Sequence, residues 1–258
     1  MTIKSFVHNG VATIEIARPE KKNALTVAMY QAMAEALHTA QTDPAVRAVL
    51  ITGQPGIFTS GNDLEDFMTR VPQSGPEALN SPVFLFMRAL SGCTKPVVAA
   101  VTGAAIGIGT TMLLHCDFVY VSDEARLAMP FVALGIVPEF ASSLIVPRLM
   151  GQVRAAEKLL LGDPFTAQDA VDCGIANAVL PAGEVVNHAR RMAERFNALP
   201  PSAVRETKRL MRRVPADEVS KAIDVEGEIF LARLSSPEAK EAVQAFFQKR
   251  KPDFTQFS

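Results

Sequence analysis

The sequence predicts an α/β protein, and three observations carry that expectation. Two short apolar, β-branched runs, 46–52 and 96–101, have the composition of fully buried strands. Each follows a segment with helical periodicity, so the order strand, helix, strand repeats along the chain. The third observation is the run from Lys95 to Ser143, which passes from a strand through Gly103, Gly107 and Gly109 into a helical pattern starting near Thr110. A strand that meets a helix through glycines leaves backbone N–H groups unpartnered at the helix N-terminus, where the dipole favours a negative ligand atom. Phosphate binding, oxyanion stabilisation and a tight turn packed on a sheet all fit such a segment.

Taken in order, residues 11–16 alternate apolar and polar and form a strand. RPEKKNAL, residues 18–25, follows as a polar loop. Thr26 is the N-cap of a helix with Met29, Met33, Leu37 and Ala40 on one face, ended by Asp43 and Pro44. GQPGIFTSGNDLEDF, residues 53–67, runs from a strand into a loop where Asn62 or Asp63 caps the next helix. That places a second free backbone N–H beside Ser60 and Gly61. Residues 71–82 read as a mobile surface loop rich in Pro, Ser and Gly, and 83–90 as a helix.

Beyond Ser143 the chain reads as helical, punctuated by Pro147 and Gly151, with 151–162 an amphipathic helix. A helix and then a strand are expected over 166–180, and a further helix over 187–197. Leu199-Pro200-Pro201 is the clearest boundary, dividing a core of residues 1–199 from a helical region of residues 200–258. The helix over 203–214 carries Arg205, Lys208, Arg209, Arg212 and Arg213, a cluster suited to a solvated face or to a phosphate-bearing ligand. The last helix opens with Ser236 as N-cap and Pro237 in its first turn, and takes Phe246 and Phe247 as its apolar face. Helices this few bury little alone and must pack on the core or on another subunit.

Composition narrows the function. The 258 residues are 48% hydrophobic and 21% charged, ordinary for a globular protein, and a net charge of −1 offers no attraction for nucleic acid or an acidic membrane. No apolar run approaches the ~18 residues of a membrane span. The opening MTIKSFVHNG has no signal-peptide core and FTQFS matches no address signal, so a cytoplasmic location is expected. Cys93, Cys116 and Cys173 are odd in number and set in apolar contexts, which fits reduced core residues. With no CxxC, no HExxH and scattered histidines, no metal is expected, and His115 reads as structural.

RPEKKNAL, SGNDL, KPVVAAVTGAAIGIG, PFVALGIVPEFASS and the terminal AFFQKRKPDF, in that order, resemble the enoyl-CoA hydratase/isomerase superfamily. SGNDL and the PE-x-x-SS pattern resemble most its peroxisomal-type Δ3,Δ2-enoyl-CoA isomerases. The resemblance implies a crotonase (ClpP-like) fold, a spiral of ββα turns with a C-terminal helical trimerisation region. It also implies a homotrimer or dimer of trimers, an acyl-CoA thioester substrate, and no cofactor beyond the coenzyme A that the substrate carries. By residue matching, the backbone N–H groups of Asn62, after Gly61, and Ile108, after Gly107, form an oxyanion hole for the thioester carbonyl. Lys22 and Ala24 fall in the loop that lies along the CoA moiety, and Ser60, Asp63 and Leu64 fall in the substrate-binding turn. Asp63 also suits capping of the helix after that turn.

The same matching places the two hydratase glutamates on Thr111 and Phe131, neither of which can exchange a proton. Glu139, after Pro138, matches the single base of the isomerase branch. One carboxylate suffices to move a proton from C2 to C4, and an apolar setting formed by Phe131, Val137 and Phe140 would raise its pKa. Without the resemblance, a lone Glu at a helix start is more often a favourable charge on the helix dipole. Another acyl-CoA reaction on the same fold, including hydration, and non-catalytic acyl-CoA binding are the alternatives. A dinucleotide-binding reading fails because no third glycine completes GxGxxG after Gly107 and Gly109.

Overall fold

A computed structural model of the protein describes residues 2–70, 77–212 and 215–257. The expected mobile loop over 71–82 lies partly outside the described residues. Its described end holds a short 3₁₀ turn, Ala78–Asn80, and the start of the next helix.

Buried apolar runs do become strands, and they do so in pairs that turn a corner. β1 (Ile3–His8) and β2 (Val11–Ile16) open a six-stranded sheet that continues through β3 (Ala48–Thr52), β5 (Val97–Val101), β7 (Phe118–Ser122) and β10 (Ala178–Leu180). Short strands β4 (Ile57–Thr59), β6 (Ala104–Ile106) and β8 (Arg126–Ala128) follow β3, β5 and β7 and form a second sheet, closed by β9 (Phe165–Thr166). Each repeat thus gives one strand to each sheet before a helical segment leads to the next repeat. This is a spiral of ββα turns. Pairing is parallel except for β1 with β2 and β8 with β9.

Strand periodicity divides the core. Ala48, Leu50, Val98 and Ala100 meet Val185, Ala189 and Ala193 of α8 (Val185–Glu194) on one face. Val49, Ile51, Val97, Ala99 and Val101 face the main core, where α1 (Val27–Thr42) and α3 (Pro82–Ser91) pack. Thr26 caps α1 as expected, its hydroxyl accepting from the Met29 N–H. Met29, Met33, Leu37 and Ala40 are all buried, and so is Tyr30.

The helices that bear on the site are α2 (Leu64–Arg70), α4 (Ile108–Thr111), which runs into a 3₁₀ turn at Met112–His115, and α5 (Ser142–Met150). The amphipathic helix expected over 151–162 is α6 (Gln152–Ala156) continued as a π-helical turn, Glu157–Leu161. Thr166 and Asp169 form a capping box at the start of α7 (Ala167–Asp172).

After Pro200 come α9 (Pro201–Arg212), α10 (Pro215–Leu234) and α11 (Pro237–Phe247). Two expectations change here. The α11 face that packs inward is Ala239, Ala242 and Ala245, whereas Phe246 and Phe247 are exposed. Phe246, seven residues on from Ala239, shares that helical face but stands in the last turn and stays exposed, while Phe247 falls on another face. Nor is the basic cluster of α9 a simple solvated face. Lys208 is buried, donating to Asp117 Oδ2 at 2.6 Å and to the Lys95 carbonyl at 2.7 Å. Arg212 pairs with Asp117 Oδ1 at 2.8 Å and also reaches the His115 carbonyl. These cations tie the C-terminal helices to the core, while Arg205 and Arg209 remain exposed and Arg213 lies outside the described residues.

Candidate active site

Two backbone turns leave the second sheet side by side. β4 and β6 run parallel, with Thr59 opposite Ala105, so segments 60–63 and 107–108 emerge together. Gly61 has φ +91° and Gly107 has φ +57° with ψ −119°, conformations that L side chains rarely adopt. A Cβ on Gly61 would lie 2.9 Å from the Ile106 carbonyl, so space as well as conformation requires glycine. A Cβ on Gly107 would have room, its nearest neighbour being Phe131 Cε1 at 4.0 Å; only the backbone angles demand glycine there.

These turns present the N–H groups of Asn62 and Ile108, and among the described residues neither finds a protein acceptor. Ile108 is the first residue of α4, where helix geometry leaves the N–H free. Asn62 is pinned on both sides: the Leu25 N–H donates to the Gly61 carbonyl at 2.8 Å, and the Asp63 N–H donates to the Leu25 carbonyl at 2.9 Å.

The loop over 18–25 is knitted to this turn by residues that sequence reasoning passed over. Asn23 is fully buried, and its amide donates to the Ile16 and Phe58 carbonyls at 3.1 Å each. The Thr59 hydroxyl donates to the Asn23 carbonyl at 2.7 Å, and the Ser60 N–H to the Lys22 carbonyl at 3.1 Å. Lys22 and Ala24 therefore lie along the 60–61 segment, with the Lys22 side chain exposed. Arg18 donates to the Ala24 carbonyl at 3.0 Å and to Asp63 Oδ2 at 2.7 Å. Asp63 Oδ1 accepts from the Asp66 N–H at 3.2 Å, so Asp63, not Asn62, caps α2, whose first residue is Leu64. Against its partial burial, the Arg18 guanidinium and the Asp66 N–H hold the Asp63 carboxyl below its ordinary range. The Asn62 side chain turns instead to buried Tyr30, whose hydroxyl donates to Asn62 Oδ1.

Glu139 lies in the turn before α5 and is 5% exposed. The Thr111 hydroxyl, one turn along α4 from Ile108, donates to Glu139 Oε1 at 2.5 Å. Oε2 is buried with no hydrogen-bond partner among the described residues. Burial pushes the carboxyl up to about 8; the Thr111 hydroxyl opposes that rise and the charge of Glu226 adds to it. Tyr30, itself held well above its ordinary pKa by burial, feels the Glu139 charge. Glu139, Thr111, Tyr30 and Asn62 thus form one linked group, with Ile108 on the helix that carries Thr111. Sequence reasoning placed Thr111 there only as a residue unable to exchange a proton. Its role as a donor that holds one carboxylate oxygen, and that of Tyr30, depend on tertiary contacts.

Two non-glycine residues in left-handed conformation follow Glu139: Phe140 at φ +60° and Ala141 at φ +58°. His115 supports them, its ring stacked 3.9 Å from Phe140 and its Nε2 paired with the Phe140 carbonyl at 2.8 Å. Burial drops the His115 pKa to about 4, so the imidazole is neutral, in keeping with a structural role. Cys93, Cys116 and Cys173 carry free thiols. Among the described residues, no three His, Cys, Asp or Glu side chains gather as a metal site, and no helix is long and apolar enough to cross a membrane.

A cavity of about 530 Å³ lies elsewhere, bordered by α3, α5, α9 and α10. Its arginines are already engaged, Arg88 with Asp224, Arg148 with Glu218 and Arg212 with Asp117. His115, which supports the Phe140 turn, lines it, but none of the residues expected from the sequence to form the site does.

Residues 7–257 match the family model described as enoyl-CoA hydratase/isomerase. Enoyl-CoA delta isomerase 2 of Rattus norvegicus is 36% identical over 244 residues, which are 93% of this chain but 62% of that protein. The chain thus spans less than two thirds of that relative's length. The structure of Pseudomonas aeruginosa OdaA superposes with a TM-score of 0.91 at 53% identity, covering 95% of this chain and 98% of its own. An enoyl-CoA hydratase/isomerase from Pseudoalteromonas atlantica T6c superposes with a TM-score of 0.93 at 42% identity, over 99% and 100% of the two chains. The paired sheets, the glycine turns at 61 and 107 and a match that runs almost from end to end make this chain a member of the enoyl-CoA hydratase/isomerase family.

Proposed function

We propose that the protein is an acyl-CoA isomerase that shifts a Δ3 double bond to Δ2 in an enoyl-CoA. The observation that carries this reading is that Glu139 is the only acid in its linked group with Thr111, Tyr30 and Asn62. One of its oxygens is held by Thr111 and the other is free and buried, while Thr111 and Phe131 leave no acid where a hydratase would need one.

In the proposed reaction the N–H groups of Asn62 and Ile108 bind the thioester carbonyl oxygen. Glu139 removes a proton from C2, and the electron pair of that C–H bond passes into the thioester, making a dienolate whose charge rests on the carbonyl oxygen. The protonated Glu139 returns the same proton to C4. The double bond then lies between C2 and C3, and no water, metal or redox partner is consumed. Donors fixed before the reaction stabilise that charge without reorganising. A carboxylate with a pKa near 8 is a stronger base toward C2 than a solvated one, and is available above that pH. Residues 1–199 are the proposed acyl-CoA-binding core, with Lys22, Ala24, Ser60, Gly61, Asp63, Leu64 and Gly107 along the substrate path. Residues 200–258 are the proposed oligomerisation region.

Glu139→Gln tests the assignment. It keeps size and polarity but cannot accept the proton. Turnover of 3-enoyl-CoA, followed by absorbance of the conjugated product, should fall about 10²- to 10⁴-fold with acyl-CoA binding retained. Near-normal turnover would show that another group is the base.

A further inference from the structure

A second carboxylate, from the C-terminal region, reaches the turn that carries Glu139. Glu226 lies on α10 and is 6% exposed. Its Oε1 accepts from the Ser143 N–H at 2.9 Å and from the Ser143 hydroxyl. Ser143 is the second residue of α5, so the carboxylate sits on the N-terminal donors of that helix, where the dipole favours negative charge. The adjacent Ser142 faces the other way. Its N–H and hydroxyl both hold the Glu139 carbonyl, at 3.2 and 2.6 Å. Between Glu139 and Ser142 stand Phe140 and Ala141, whose left-handed backbones are unfavourable for L residues and persist only where the surroundings enforce them. His115 enforces one side of this turn and Glu226 the other.

The two carboxylates are also electrostatic neighbours. Each leaves its Oε2 buried without an aligned donor among the described residues, and the Glu226 charge acts on Glu139. The other ionisable groups around the pair are neutral or engaged. Tyr30 on α1 stays protonated and His115 stays neutral. On the elements packed against α10, Arg88 is paired with Asp224 and Arg148 with Glu218. Burial raises the Glu226 carboxyl, while the Ser143 hydroxyl and the N–H groups of residues 141–143 favour its charged form.

We propose that Glu226 is a positioning residue for Glu139: from α10 it locks the strained turn that carries Glu139 and sets a second negative charge against it. The proposal rests on Glu139 as the base. A nearby anion makes a carboxylate harder to ionise and a stronger base once ionised, so α10 tunes the chemistry of the core.

Glu226→Gln in the whole chain is the test, because its amide oxygen can still accept from Ser143 while the charge is gone. The acidic limb of kcat/KM should move to lower pH by about 0.5–1 unit. Well below the wild-type limb, the fraction of plateau activity should then rise about three- to tenfold. An infrared titration of the Glu139 carboxyl, assigned by its loss in Glu139→Gln, should move by the same amount. Glu226→Asp, which keeps the charge but draws it back, should give a smaller shift in the same direction, and decides the matter if Glu226→Gln does not fold. An unmoved limb and an unmoved carboxyl titration, accompanied only by a lower melting temperature or turnover, would make Glu226 a helix cap and overturn the proposal. A carboxyl titration that moves while turnover proves independent of Glu139 would leave the coupling standing and remove the base assignment.

Discussion

Glu139 combines a function with a cost. Burial raises its carboxyl from an ordinary 4.5 to about 8, so the folded protein binds this proton more tightly than the unfolded chain. Stability from this group is therefore fully present below about pH 4.5 and is lost as pH rises toward about 8. Glu139→Gln, which never ionises, should be more stable than the wild type above pH 8, by an amount on the order of a few kcal/mol. The gain should shrink toward nothing near pH 5. Thermal melts at the two pH values check this, and an equal effect at both would mean that the carboxyl is not raised. Most of this residue's environment was beyond the sequence. PE-x-x-SS marked Glu139 itself, but Thr111, Tyr30 and Glu226 converge on it from α4, α1 and α10. Nothing in local periodicity signals such a convergence.

At the scale of elements, the glycine turns were legible because their cause is local. A strand, a glycine with positive φ and a helix start imply a free N–H without reference to the rest of the fold. Of the strands that align the two turns, a strand before the 60–63 loop was read but β6 and β8 were not, since they have three residues each, too few to display a period of two. β1 was missed for another reason: only Ile3 of its six residues is buried, so it carries no core pattern. Gly107→Ala isolates the contribution of one turn. The added methyl has room, but the backbone conformation costs a non-glycine residue about 1–3 kcal/mol, so the turn should relax and redirect the Ile108 N–H. Loss of one such donor typically lowers kcat about 10²- to 10³-fold. Unchanged kcat, with the fold intact by circular dichroism, would remove Ile108 from the proposed oxyanion hole.

At the scale of the molecule, the boundary at Pro200 was visible as a change of character, but the way the tail returns to the core was not. Lys208 and Arg212 read as part of a basic surface until Asp117, far away in sequence, is seen to receive them. Large apolar side chains also remain exposed. Val153, Leu160 and Leu161 project from α6 and its π turn, and Leu210 and Met211 from α9, each at least 60% exposed. Burying one such side chain is worth about 1.5–3 kcal/mol, so these positions are the proposed contact between subunits. Sedimentation should report a trimer or a multiple of three, and Leu161→Asp with Met211→Asp should shift it toward monomer while the chain stays folded. A wild-type monomer at micromolar concentration would contradict that assembly.

In the proposed reaction one carboxylate works without a second to activate water. Its most direct test is to measure, on a single preparation, isomerisation of 3-enoyl-CoA and hydration of 2-enoyl-CoA. The conjugated thioester absorbs and its hydrated product does not, so both rates come from one signal. Isomerisation should exceed hydration by at least about 10²-fold, the lower end of what a missing general acid or base costs. Hydration equal to or faster than isomerisation would contradict the account.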